Sequence, residues 1–361
     1  MLDAIELIEC DRRIQVVFTQ APDVFRNGVD EHLRALGAVV IPWQQATETD
    51  FDLVVAADCA GVPELHGPVL MLAHGVMNNK LAPANLGGPG SGLVVGLAAP
   101  WLTWYGRLFP ATVALSHRDL LSVLTRQCPQ AVPIAKVVGD LCLDRLTAST
   151  PRRTAYRHAL GVADDRTVVA LSSTWGPDSL LGRSWRTLFD LLAELPEDAY
   201  AVRLAVHPAL WHGHGPRQVL SWLREHRGSG LRVVEPTSWR GLVAAADVVV
   251  GDHGSATTYA AAARVPVLRS AGPTGFTAPG SATELLAQLV PVFTPGRPLP
   301  AQLDDAMRMR PAGQTIGRAV TSAPGAAARL LRAEMYRLLR LPEPSAEPVA
   351  APVPPPVLVE W

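Results

Sequence analysis

The 361-residue chain contains no apolar run near the roughly 20 residues that a membrane-spanning helix needs. Cysteine is scarce: Cys10, Cys59, Cys128 and Cys142 lie far apart and form no C-x-x-C pair. That spacing speaks against a zinc site or a disulfide framework and for buried thiols. Charge of one sign is missing too. The net charge is −1, so the chain lacks the overall basic character of a nucleic-acid binder. The start, Met1-Leu2-Asp3-Ala4-Ile5-Glu6, carries acids where a signal peptide would be basic. No carboxylate cluster marks a divalent-metal site. What is present, 48% hydrophobic and 18% charged residues, suits a globular protein with room for two cores. The expectation is a cytoplasmic protein that needs no metal or other cofactor, with peripheral membrane association left open.

Both halves alternate strand-like and helical runs. In the first half, Ile14–Thr19, Ala38–Pro42, Phe51–Ala56, Pro68–Ala73, Thr112–Leu115 and Ile134–Val138 read as strands. Helices are expected at Gly28–Leu36 and Arg118–Gln127, and Asn85–Gly92 reads as a Gly-rich loop. The second half has strands at Thr167–Ser172, Val202–Val206, Leu231–Val234, Val248–Val250 and Val265–Leu268. Its helices fall at Trp185–Leu195, Arg217–His226, Trp239–Ala245 and Ala256–Ala263. Unbroken apolar strands separated by helices imply α/β architecture with two Rossmann-like, doubly wound lobes facing a cleft. The expected division is an acceptor-side lobe over 1–146, a donor lobe over 147–320, a packing helix over 321–341 and a Pro-rich, disordered tail over 342–361.

In a doubly wound sheet, ligands gather beyond the carboxyl ends of the strands where the strand order reverses. With the common order 3-2-1-4-5, the first and fourth strands of the second lobe flank that point. The first ends in Ser172-Ser173-Thr174-Trp175-Gly176, whose hydroxyls suit a phosphate. The fourth ends in Gly251-Asp252-His253-Gly254-Ser255-Ala256-Thr257 and enters a helix. Asp252, Gly254, Ser255 and Thr257 thus stand at a helix N-terminus, where free amides and the dipole favour an anion. An Asp/Ser helix cap reads the same way.

His207-Pro208 ends the second strand, and His207 can neutralise charge on a leaving phosphate. The nearby pair His212 and His214 lacks a third metal ligand in register. Glu235-Pro236-Thr237-Ser238, after the third strand, is placed to meet a nucleobase or ribose. In the first lobe His74-Gly75 ends a strand with Lys80 close behind, offering a general base and a phosphate counter-charge. Arg26-Asn27-Gly28 is a weaker candidate for lining the same cleft.

Several of these stretches fit one pattern. His74-Gly75 with Lys80 resembles a His-Gly-Thr segment and its downstream lysine. Val138-Gly139-Asp140, Asp144, Leu146, Arg157 and Leu160-Gly161 resemble an interlobe passage, and Ser173-Thr174-Trp175 the strand end that follows. Gly251-Asp252-His253-Gly254-Ser255, with Tyr259, resembles an Asp-Tyr-Ser-Ser turn. Together, over residues 70–270, the chain resembles GT-B-type transferases, and within them the CDP-glycerol glycerophosphotransferase family of teichoic-acid-like polymers. It departs at Val76, at Ala73 and at His253-Gly254, where the family carries threonine, an aromatic residue and Tyr-Ser.

The resemblance implies a nucleotide-linked donor, CDP-glycerol or a nucleotide sugar, and a hydroxyl acceptor. His74 and His207 would be catalytic. Ser173, Thr174, Asp252, Gly254, Ser255 and Thr257 would hold the donor, and Gly75 and Lys80 the acceptor side. A glycosyltransferase fits the same framework. So does a nucleotide-binding module without catalysis, acting through a protein partner docked on the Pro-rich tail.

Overall fold

The computed structural model describes residues 1–22, 28–82, 92–272, 275–309 and 312–360. The Arg26-Asn27 candidate and the loop residues 85–91 lie outside them. The chain forms two compact units. One comprises 1–144, 276–281 and 320–350, the other 145–275, 282–319 and 351–361. The division therefore falls two residues before the expected one, and the last segments of the chain return to each unit in turn.

In the first unit, β1 (Val54–Ala56), β2 (Val69–Met71), β3 (Pro110–Leu115) and β4 (Ala135–Val137) form a parallel sheet in that order. Ile14–Thr19 and Ala38–Pro42, expected as strands, supply one isolated bridge, Phe18 to Val40. Pro22 and Pro42 follow or end these runs, and a proline has no N–H to extend a ladder. Helix α1 (Leu120–Gln127) follows β3, and α2 (Leu141–Ser149) follows β4. The last helix of the chain, here α9 (Ala327–Leu339), packs Leu331, Met335 and Leu338 with Leu70, Ala114 and Val138 of this unit. Its start is tied down by Asp144, whose buried carboxylate accepts N–H bonds from Gly325 at 2.7 Å and Ala327 at 3.0 Å. Gly139 turns with φ +85°, and a Cβ there would stand 2.9 Å from the Ala323 carbonyl oxygen, so the turn needs glycine.

In the second unit, β5 (Thr167–Ser173), β6 (Tyr200–Val206), β7 (Arg232–Val234), β8 (Val248–Gly251) and β9 (Val267–Arg269) are all parallel. Their order, β9-β8-β5-β6-β7, is the 3-2-1-4-5 arrangement read from the other edge. The connections include α3 (Arg153–Ala159) before β5, α4 (Leu180–Leu192), α5 (Pro208–His214) with the helix Pro216–Leu223 after it, α6 (Trp239–Ala245), α7 (Ser255–Ala262) and α8 (Ala282–Leu289). Val169, Leu171, Leu204, Val233 and Val250 fill one core with Leu223, Leu299 and Leu303. Among the described residues no helix is long and apolar enough to cross a membrane.

The tail does not match the expectation of disorder. Val359 donates its N–H to Val233 at 2.9 Å, Glu235 donates to Val357 at 2.9 Å, and Leu358 bridges Val234 antiparallel. Val353 is buried, its N–H bonded to the Ser149 hydroxyl and its carbonyl to Tyr156 Oη. Prolines lower the entropy of the unfolded segment, so a few such contacts suffice to dock it.

Arg157 anchors the entry to β5. Its buried guanidinium donates to Asp247 Oδ2 at 2.8 Å and to the carbonyls of Ala163 and Arg166. The same Asp247 carboxylate accepts from Arg153 and from the Val168 amide in β5. Lysine keeps the charge but not the planar fork that reaches several acceptors. Arg157→Lys should therefore cost about 2 kcal/mol in urea unfolding, and an unchanged midpoint would refute this role.

Candidate functional site

The register of the second sheet decides which residues share an edge. Val206 pairs with Ser173, Ser172 with Gly251, and Gly251 with Arg269. His207, Thr174, Asp252 and Ser270 therefore leave the sheet side by side at its carboxyl end, over four adjacent strands.

Asp252 organises this edge. Its side chain is completely buried. Oδ2 accepts N–H bonds from Thr174 and Leu180, both at 2.8 Å, and Oδ1 accepts from Gly254 at 2.9 Å. One carboxylate thus joins the turn after β5, the first residue of α4 and the turn after β8. Ser173, also buried, accepts the next α4 amide, Leu181, at 3.1 Å and donates to the Thr174 carbonyl. Both residues stand in the phosphate set read from sequence, and both instead have their polar atoms engaged in holding backbone.

The consequence separates two helix starts. The first amides of α4 are capped by Asp252 and Ser173. At the start of α7 the N-cap position is Gly254, which has no side chain to bond the first-turn amides. Gly254, extended at φ −70°, leads into α7, and a Cβ there would come 3.3 Å from Thr174 Cβ. Ser255 is half-buried at the first helical position. Thr257 is fully buried and points back at β8: a Cβ on Gly251 would collide with its Oγ1. Its hydroxyl finds no hydrogen-bond partner among the described residues, and only its backbone remains suited to a ligand. Trp175 is 47% exposed beside Thr174.

His207 caps α5. Its Nδ1 accepts the Ala209 N–H at 3.1 Å, so in the neutral ring the proton sits on Nε2, which is a donor. His214 packs edge-on against Trp222, 5.0 Å between centroids. No group of three metal-ligating side chains, with His212 or elsewhere, occurs among the described residues.

Arg269 was not read from sequence as a site residue. It ends β9, donates to the carbonyls of Ser270 and Ala287 at 3.2 Å, and burial lowers its pKa. Its Nη1 and the His253 ring both approach Gly272, within 4 Å of a Cβ placed there. The buried Ser270 hydroxyl beside it has no partner among the described residues. The sequence signal for both is their position at the end of the fifth apolar strand run, Val265–Leu268.

His74, Gly75 and Lys80 belong to the first unit. His74 and Gly75 are exposed just after β2, with Gly75 at φ +81°. Val76 beyond them is completely buried, which suits an apolar side chain where the resembling family has threonine. Lys80 is exposed on a short paired segment: it bridges Thr277, and Val95 donates to its carbonyl.

No family model matches the sequence, and no curated protein matches it. Solved structures do match. The wall teichoic acid polymerase TagF superposes with a TM-score of 0.54 at 13% identity, covering 91% of this chain and 80% of that one. A TagF variant soaked with CDPG gives 0.56 at 13% identity, over 84% of this chain and 77% of the other. The fold of this chain is similar to that of these structures. HepE from Anabaena with UDP-glucose aligns over 94% of this chain at 16% identity, but its TM-score of 0.43 is too low to inform the fold.

The Asp252 contacts make a direct prediction. Asparagine would aim an NH2 group at one or two of the three amides. Asp252→Asn should lower stability by about 2 kcal/mol or more, read from chemical denaturation. Retained wild-type stability would show that the carboxylate does not hold the turns together.

Proposed function

We propose that the chain is a transferase that moves a phosphoglycerol or related polyol-phosphate group from a CDP-linked donor to an acceptor hydroxyl. The observation that carries this reading is the arrangement around Asp252, which ties the turn after β5 and the start of α4 to Gly254 at the start of α7. The fold likeness to TagF supports it. The donor diphosphate would lie on the α7 amides and Ser255, with Thr174 beside it and Arg269 as the nearby cation.

His74 would take the proton of the acceptor hydroxyl, whose oxygen attacks phosphorus. The anhydride bond to the nucleotide breaks, and CMP leaves with the electron pair. His207, donating through Nε2–H, would stabilise charge growing on the leaving group. Gly75 and Lys80 would complete the acceptor side. Positioning and electrostatics supply the catalysis, so the reading requires no cofactor.

A glycosyltransferase with a nucleotide-sugar donor is the second reading. His253-Gly254 favours it, because these residues replace the Tyr-Ser of the phosphoglycerol-transferring family. Attack would then fall on the anomeric carbon, with a nucleoside diphosphate leaving.

Thermal protection separates the two. On the first reading CDP-glycerol and CMP raise the melting temperature, by about 2.7 kcal/mol of stabilisation at a hundredfold excess over Kd, and UDP and GDP do not. The reverse order selects the nucleotide-sugar reading. His74→Ala should retain nucleotide protection and lose turnover; turnover that survives this change removes His74 as the base.

His207→Asn isolates the second histidine, since the Asn carbonyl can still cap α5. Stability should stay within about 0.5 kcal/mol of wild type while kcat falls roughly a hundredfold. Unchanged kcat would confine His207 to its capping role.

A further inference from the structure

We propose that residues 351–360 form a positioning element of the donor site, fixing the turn Glu235–Ser238 and thereby the choice of nucleobase. The proposal rests on the second unit being the donor lobe. Phosphates held at α7, after β8, place the base farther along the sheet edge. Strands lie about 4.8 Å apart, so from β8 to β7 is three spacings, roughly 14 Å, the scale of an extended nucleotide. The turn after β7 therefore meets the base end.

That turn is held from both sides by the tail. Glu235 donates its N–H to the Val357 carbonyl at 2.9 Å, and Val357 donates its own to the Ser238 hydroxyl at 3.0 Å. Leu358 and Val359 continue the pairing along β7 through Val234 and Val233. Upstream, the tail is locked by Val353, which is 2% exposed, and by the Arg145 guanidinium on the Ala351 carbonyl.

The sequence of α6 is adapted to this passage. Gly241 lies inside the helix, and a Cβ there would stand 2.8 Å from the Pro354 oxygen and from the Pro356 ring. Glycine in a helix is ordinarily a liability, so its presence here points to the close approach of the tail. The same contacts argue against the tail as a docking peptide. Val353 and Pro356 are buried, and the backbone of residues 357–359 is engaged.

Gly241→Ala in the full chain is the test, because its expected sign is opposite to the ordinary one. Without a docked tail the substitution favours the helix and raises the melting temperature. With it, amide-exchange protection of Val357 and Val359 is lost. The preference among CMP, UMP and GMP, measured by calorimetry, then falls about tenfold, the scale of one lost hydrogen-bond contact. Affinity for inorganic pyrophosphate, which never touches the base-side turn, stays at the wild-type value.

Ser238→Ala, which removes only the acceptor of the Val357 N–H, should move selectivity in the same direction, and Ser238→Thr should restore it. This pair carries the test if Gly241→Ala does not fold. Unchanged selectivity, or equal loss of pyrophosphate and nucleotide binding, overturns the positioning role while leaving the donor site intact. A wild-type protein that binds pyrophosphate and nucleotide not at all overturns the reading of the site itself.

Discussion

Two chain reversals that are 78 residues apart in sequence, at Thr174 and Asp252, meet through a single buried carboxylate. A buried charge is tolerated only when hydrogen bonds replace its lost hydration, and here three backbone amides do so. The geometry of the carboxyl edge follows from that requirement. Because Asp252 must reach Leu180, α4 begins directly behind the turn after β5. Because it must also reach Gly254, α7 begins next to it with its first amides facing the same edge. The carboxylate that sequence suggested as a ligand group is more useful as the fastener that makes the ligand groups converge.

The parallel sheets were legible because a strand covered on both faces needs an unbroken apolar run, and Val168–Leu171 and Val248–Val250 supply one each. The strand order followed from the general rule for such sheets. What escaped the sequence was set by long-range packing. The runs at Ile14–Thr19 and Ala38–Pro42 have strand composition but form a single bridge, because the prolines that bound them cannot extend a ladder. The tail has the composition of a disordered segment, and its order depends on a glycine in α6 more than a hundred residues away.

The candidate site was legible as a location and less so as a set of roles. Strand ends could be ranked from topology, and His207, Thr174 and Ser255 stand together at the carboxyl edge of the second sheet. Whether a hydroxyl faces a ligand or the sheet depends on helix phase, which no short motif encodes. Thr257 falls two positions after Ser255 and turns inward against Gly251. His207 could be read as a cation, yet its Nδ1 accepts the Ala209 amide, which leaves Nε2 to face a ligand. The first-unit residues kept their neighbourhood: an exposed His74-Gly75 following β2, as a strand-end histidine should be.

The return of the chain to both units bears on how the protein is made. The first unit needs α9 on its sheet to bury Leu70 and Ala114, and the second closes the β7 edge only with Val357–Val359. Neither can complete its packing during synthesis until residues far beyond its own sheet have emerged from the ribosome. A nascent chain stalled near residue 320 would expose an uncovered face on the first sheet and an unpaired edge on the second, surfaces that invite pairing with other chains. Such a topology makes residues 320–360 necessary for both units to complete their packing.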